Sequence, residues 1–204
     1  LSANELNNLR PLSGDPDWHL VPVIEGSITS LDEDGSPQQQ LRLVGLDLMG
    51  LANLPNLSEA KFDFGKDELT WYEWLGSEKS VWIGRKTADK LGFEESDVIK
   101  FFASGRMREM VVRKIIGPES SSFPDDLVIA DLPTAQLLLS RSDQLNRIEV
   151  IINRPDLRES TDYLETIRDR IAYYLPENLA VQPTQNRAAD RAAITAAFRL
   201  NLTI

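Results

Sequence analysis

The stretch Ser80–Gly117, SVWIGRKTADKLGFEESDVIKFFASGRMREMVVRKIIG, decides how this chain folds. Its first five residues, SVWIG, are a short apolar run closed by glycine, which predicts a strand. RKTADKLG has room for one or two helical turns, and Gly92 stands where helices commonly end in a left-handed cap. From Asp97 onward two apolar runs flank Ser104-Gly105, a turn pair, so two strands are expected about it. A strand, a short helix and a hairpin in this order describe a β-rich unit with a small helical element.

The pattern continues on both sides. Downstream, DDLVIAD predicts a strand that runs into DLPTAQLLLS, a short helix with Asp131 as its N-cap and Pro133 in the first turn, where a missing N–H costs nothing. RIEVIINR is a further strand. From Pro155 to Leu175 a helical stripe joins Leu157, Leu164, Ile167, Ile171 and Leu175, and Pro176 closes it. NLAVQP follows as a short strand, and DRAAITAAFRLNLTI is rich in strong helix formers, which predicts a terminal helix from about Ala188. Upstream, HLVPVIEGSITSL and QQQLRLVGLDLMG form a hairpin about Asp34-Gly35, and Leu1–Pro11 is a short helix closed by Pro11. The whole predicts an α+β chain in two subdomains.

Composition narrows the function. The 204 residues are 42% hydrophobic and 26% charged, an ordinary globular balance, with 22 Lys and Arg against 32 Asp and Glu and a formal net charge of −10. Basic residues are not clustered, which argues against a nucleic-acid surface. With one His and no Cys, neither a Cys–His nucleophile nor a multi-His or Cys metal site can be assembled. No Gly-x-Ser-x-Gly elbow, P-loop or Gly-x-Gly-x-x-Gly turn occurs, so neither an enzyme, ATP hydrolysis nor a cofactor is expected. No stretch approaches the roughly 20 apolar residues that span a bilayer.

Three constellations compete for attention. Asp15, Asp17 and His19 in DPDWH could face one cation, but the acidic pair is equally loop chemistry among turn formers. DEDG, Asp32–Gly35, starts like a calcium loop but lacks its distal bidentate Glu and is expected to be the hairpin turn. Trp71, Tyr72 and Trp74, with Phe62 and Phe64, gather five of the fifteen aromatic residues into thirteen positions. That cluster is either the plug of a small core or an exposed partner contact.

The order of these motifs resembles the MacB-like periplasmic core domain of FtsX-type ABC transporter permeases. Ala88, Leu91, Gly92, Asp97, Gly105, Val112, Ile115, Ile116 and Gly117 stand where that family has its A-x-x-L-G helix, Gly-Asp step, glycine turn and V-x-x-I-h-G strand. Ser96 replaces the usual glycine before Asp97. VPVIEGSI with LRLVGLDLM is similar to the family's first hairpin, ending in its V-x-G-h-D signature at Val44, Gly45, Leu46 and Asp47. LVIADLPTAQLLLSRSDQLNRIEVIINRPD is similar to its strand, D-x-x-x-A-Q-x-L-L helix and returning strand. The resemblance runs from about Val21 to the C-terminus.

What the resemblance implies is specific. Residues 1–57 and 142–204 would form a membrane-proximal, Porter-like βαβ subdomain, and 58–141 an inserted β-rich, Sabre-like one. Leu1–Arg10 would be the tail of a first transmembrane helix, and AAFRLNLTI the lead into a second. The domain would lie outside the inner membrane, in the periplasm. It would work with a cytoplasmic ATPase subunit and a second permease copy or homologue, and meet a periplasmic partner protein or lipoprotein. Such permeases export toxins, peptides or antibiotics, or extract lipoproteins. The alternative within the family is FtsX-like regulation, in which the outside domain activates a cell-wall hydrolase and moves no cargo.

Overall fold

One long strand organises the molecule. The computed structural model describes residues 2, 4–48, 50, 79–116, 124–152, 154, 156–157 and 160–182. Within them a short helix α1 (Asn4–Asn8) and a 3-10 turn (Arg10–Leu12) lead into β1 (Trp18–Leu31), which turns back as β2 (Pro37–Leu46). Then come β3 (Ser80–Gly84), α2 (Arg85–Leu91), β4 (Val98–Ala103) and β5 (Arg106–Ile116). The remainder is β6 (Leu127–Asp131), α3 (Leu132–Leu139), β7 (Arg147–Ile152) and α4 (Thr161–Ala172). Seven strands in one mixed sheet and four α-helices make the described residues α+β, as the sequence predicts.

Six of the strands close into a ring. β1 pairs antiparallel with β2 from Val23↔Leu46 to Leu31↔Pro37. β2 pairs parallel with β6, β6 antiparallel with β3, β3 parallel with β5, and β5 antiparallel with β4. β4 returns to β1 through Thr29↔Phe102, Ser30↔Phe101 and Leu31↔Lys100. Closure removes the unpaired edges that an open sheet presents.

Alternate residues fill the barrel. Ile24, Ile28, Leu41, Leu43, Val81, Ile83, Ile99, Phe101, Met110, Val112 and Val128 are buried in one cluster, and Ala135, Leu138 and Leu139 of α3 join them. Each fully buried aliphatic side chain contributes roughly 1.5–3 kcal/mol against exposure. This core therefore dominates the stability of the described residues.

A second, smaller cluster sits at the other end of β1. β7 pairs antiparallel with Trp18–Val23, beyond the reach of β4. One face of this pair is covered by α4 and the N-terminal arm: Leu9, Leu12, Trp18, Ile167 and Ile171 are buried together, with Leu20, Ile148, Val150 and Ile152 packed against them. The hairpin, expected to belong with residues 142–204, thus pairs with β7 over its first third and with strands of the expected insertion, β4 and β6, over the rest.

Several local expectations meet the structure at defined points. Gly35 has φ +84° in the β1–β2 turn, where the Ser36 N–H donates to the Asp32 carboxylate at 2.7 Å, so DEDG is a hairpin turn. Gly92 caps α2 in the left-handed region, and Ser104 and Gly105 both have positive φ, the geometry a tight hairpin needs. The helix expected from Pro155 begins only at Thr161, because the Ser160 hydroxyl accepts the Tyr163 N–H and caps it there. Pro11 does not close α1 but sits in the first turn of the 3-10 segment. The short strand expected at NLAVQP does not form over 178–182, the described portion of it; Val181 packs on the second cluster without a ladder partner. The terminal helix expected from Ala188 lies outside the described residues.

Ser96 has φ +78°, and its N–H donates to the Val112 carbonyl at 2.7 Å, which anchors the turn before β4. This left-handed backbone explains why the resembled family places glycine there, since an L side chain costs roughly 1–2 kcal/mol in that region. Ser96→Gly is therefore expected to stabilise the chain by roughly 0.5–1 kcal/mol after the entropy of glycine is subtracted. Urea denaturation checks this, and a destabilised Ser96→Gly would contradict the strain assignment.

Candidate functional site

Two sequence signatures that lie far apart in the chain meet at the C-terminal ends of β2 and β6. Leu46 pairs with Asp131, which brings the V-x-G-h-D motif beside the start of the D-x-x-x-A-Q helix. Gly45 is needed because α3 packs directly on it: a Cβ there would collide with the Ala135 methyl and with Ile24. Gly26, on the neighbouring strand β1, makes the same kind of room for Leu139. Asp131 holds the N-cap position of α3 in extended backbone, as expected, but its side chain makes no capping bond. Burial pushes its carboxyl up, the nearby Leu132 and Leu48 amides oppose this, and the Asp47 charge adds to the rise.

A second junction ties the N-terminal arm to α4. Asp15 accepts the Asp17 N–H at 3.0 Å, and its other oxygen meets the Arg170 guanidinium at 2.6 Å. Burial would raise the Asp15 carboxyl, but the Asp17 amide, Arg170 and the Trp18 indole outweigh it and hold it below the usual carboxylate range. Arg170 also lies 5.9 Å over the ring of Trp18, which is 2% exposed. Arg154 grips Asp156 through two bonds of 3.0 and 2.8 Å and approaches Asp17 at 3.7 Å. Tyr163 is pushed up by burial and by Asp17 and Asp15.

Magnitudes rank these contacts. Arg170 is half exposed, so its ion pair is worth about 1 kcal/mol or less. Burial of the Trp18 ring is worth several times that. The indole therefore fixes the arm, and the charges set its orientation.

The structure answers the DPDWH question. Asp15 and Asp17 turn to Arg170 and Arg154 rather than to one another's side chains. His19 lies on β1 opposite Ile151, its Nε2 is buried without a hydrogen-bond partner, and burial holds its imidazole below the ordinary value. Trp18 and His19, as neighbours on a strand, project to opposite faces. Among the described residues no three His, Cys, Asp or Glu side chains come together to hold a metal. Trp71, Tyr72 and Trp74 lie outside the described residues. Arg154, Tyr163 and Arg170 carry no local motif and emerge only from the fold.

No family model matches the chain, and no curated protein matches it. Solved structures do. The periplasmic region of MacB from Actinobacillus actinomycetemcomitans superposes with a TM-score of 0.53 at 10% identity, over 83% of this chain and 73% of that one. The extracellular domain of the noncanonic ABC-type transporter YknZ from Gram-positive bacteria gives 0.52 at 14% identity, over 81% and 83%. At such identities the likeness is one of fold, and the fold is that of a MacB-like periplasmic domain. Among the described residues no helix is long and apolar enough to cross a membrane.

Two outcomes test the junctions. An Asp131 carboxyl raised in the folded state means that its ionised form costs stability at neutral pH, and that the cost fades as pH falls through the raised value toward about 4. Asp131→Asn is therefore expected to have a higher urea midpoint than the parent at pH 8 and the same midpoint below pH about 4; a lower midpoint at pH 8 would contradict it. At the second junction, Trp18→Ala is expected to cost about 3–5 kcal/mol and Arg170→Ala about 1 kcal/mol or less. Equal losses in denaturation would reverse the ranking.

Proposed function

We propose that this chain is the extracytoplasmic domain of an ABC transporter permease, and that it passes movement from the membrane to a site outside it. The observation that carries this reading is the shared fold, which extends over four-fifths of the chain for both the MacB and YknZ domains. It is supported by two signatures whose spacing alone suggests the family and whose residues, Gly45 with Ala135 and Asp47 with Asp131, meet in space.

In this reading the end of the molecule built from the N-terminal arm, β7 and α4 faces the membrane. The barrel, which carries the described portion of the 58–141 insertion, extends away from it. The division between a membrane-proximal unit and an inserted one then runs along β1 itself, with Trp18–Val23 on one side and Ile24–Leu31 on the other. A displacement of the arm pulls on Trp18 and Asp15, hence on α4 and on β1, and β1 is continuous with the barrel wall. ATP is consumed by a separate cytoplasmic subunit, and two permease copies or homologues act as a pair. The substrate or partner is met on the barrel side.

The chain has no cysteine, which makes location directly testable. Tyr173 is 84% exposed and meets the Tyr174 ring edge-on. With Tyr173→Cys introduced and any cysteine outside these 204 residues replaced, a membrane-impermeant maleimide is expected to label intact cells, and an ATP-hydrolysing subunit to copurify in detergent. Labelling only after lysis would overturn the assignment.

A further inference from the structure

The outer face of the β4–β5 hairpin departs from the burial seen elsewhere in the barrel. Register pairs Val98 with Val111, Lys100 with Glu109 and Phe102 with Met107. The alternate residues Ile99, Phe101, Ala103 and Met110 are buried in the barrel. On the outer side Val98 is 61%, Phe102 47% and Met107 57% exposed. Strand residues i and i+4 are about 14 Å apart, so Val98 and Phe102 mark the two apolar ends of one strip, with Lys100 and Glu109 between them. Large apolar side chains grouped on a sheet face are the exposed feature that calls for an occupant, unlike single surface residues.

The strip is bordered by carboxylates on one side. The β1–β2 turn lies against the start of β4, where the Lys100 ammonium donates to the Glu33 carbonyl at 3.1 Å. That turn brings Asp32, Glu33 and Asp34, and Glu109 stands beside Lys100 between the two apolar rows. None of these four carboxylates forms an ion pair among the described residues. Arg106 lies at the opposite end, where β5 begins. The face therefore has two apolar ends, Val98 with Val111 and Phe102 with Met107, parted by Lys100 and Glu109, and a carboxylate-rich border at the Val98 end.

We propose that this face docks a cationic amphipathic segment of a partner protein, with apolar side chains laid on Val98, Phe102 and Met107 and Lys or Arg side chains set against Asp32, Glu33, Asp34 and Glu109. Charge complementarity selects this occupant. A second copy of the chain would bring its own net charge of −10 against the same surface, and an anionic lipid headgroup would meet carboxylates rather than cations. The apolar ends supply affinity, and the acidic border supplies orientation and a salt-dependent rate of encounter. The surface needs only the folded chain, so it stands or falls apart from the permease reading.

The test uses the 204-residue chain and three synthetic peptides: an amphipathic Leu/Lys helix, its Leu/Glu counterpart, and a scrambled Leu/Lys sequence without an apolar face. In nuclear magnetic resonance titrations the Leu/Lys helix is expected to shift amides of residues 97–111 and 32–36, and the other two peptides to bind at least about tenfold more weakly. Phe102→Ser with Met107→Ser is expected to weaken the Leu/Lys helix about tenfold or more. Glu33→Lys with Glu109→Lys is expected to weaken it several-fold and to flatten its salt dependence. All four positions are exposed or on a turn, and unchanged thermal melts verify that the variants fold. Equal binding of the Leu/Glu peptide, shifts that map elsewhere, or binding that survives both double variants would overturn the proposal. So would a dimer by sedimentation that Phe102→Ser dissolves, or retention on phosphatidylglycerol vesicles that depends on Phe102, since each names a different occupant.

Discussion

The fold depends on how the backbone of β1 is satisfied. On one edge β2 pairs with it from Val23 to Leu31. On the other edge β7 stops at Val23 and β4 starts only at Thr29, which leaves the stretch between them without a strand. Buried backbone groups cannot be left without partners. The segment after α3 closes the gap: the Asn146 backbone N–H donates to the Val23 carbonyl, the Asn146 side-chain oxygen accepts the Glu25 N–H, and the Arg141 side chain donates to the Glu25 carbonyl, at 2.9, 2.9 and 3.2 Å. Arg147 adds ion pairs to Glu25 and Glu149 at the same seam. Because Gly26 lacks a side chain, Leu139 reaches the inner face of the gap, and α3 is held there by the Ser104 hydroxyl, which donates to the Leu139 carbonyl at 2.7 Å.

This arrangement makes β1 the only strand shared by the two clusters among the described residues. The barrel is the stiffer body, since its ring is closed and its core larger. The N-terminal arm, β7 and α4 form a smaller body around Trp18, in which one buried indole outweighs the surrounding surface charges. A closed barrel joined through one continuous strand to a small, separately packed base is the geometry on which the proposed transmission of displacement rests. Among the described residues no three His, Cys, Asp or Glu side chains group as a metal set.

Much of the barrel was legible because its signals are local. Gly92, the Ser104-Gly105 pair and Asp34-Gly35 each announce a backbone conformation that few other residues adopt, and the apolar runs between them are short enough to be strands. The family motifs were legible as spacing, but their reason was not. That Gly45 exists to admit Ala135, and that Asp47 and Asp131 share one site, follows only from a parallel pairing between segments more than eighty residues apart. Apolar periodicity alone carries α4 back to Pro155, whereas the N-cap residue Ser160 sets its start at Thr161. The strand expected at NLAVQP does not form over its described residues, 178–182, because alternation alone supplies no partner. Arg154 and Arg170 are two of many surface arginines until the fold sets Asp17 and Asp15 beside them.

Whether β1 joins two bodies of unequal stability is tested most directly by native-state hydrogen exchange across a series of low denaturant concentrations. The amides of Trp18–Val23 are predicted to open together with those of β7 and α4 at a lower free energy, while Ile24–Leu31 open only with β2–β6 in the global transition. A single opening free energy along the whole of β1, shared by the barrel and by α4, would show one cooperative body and contradict it.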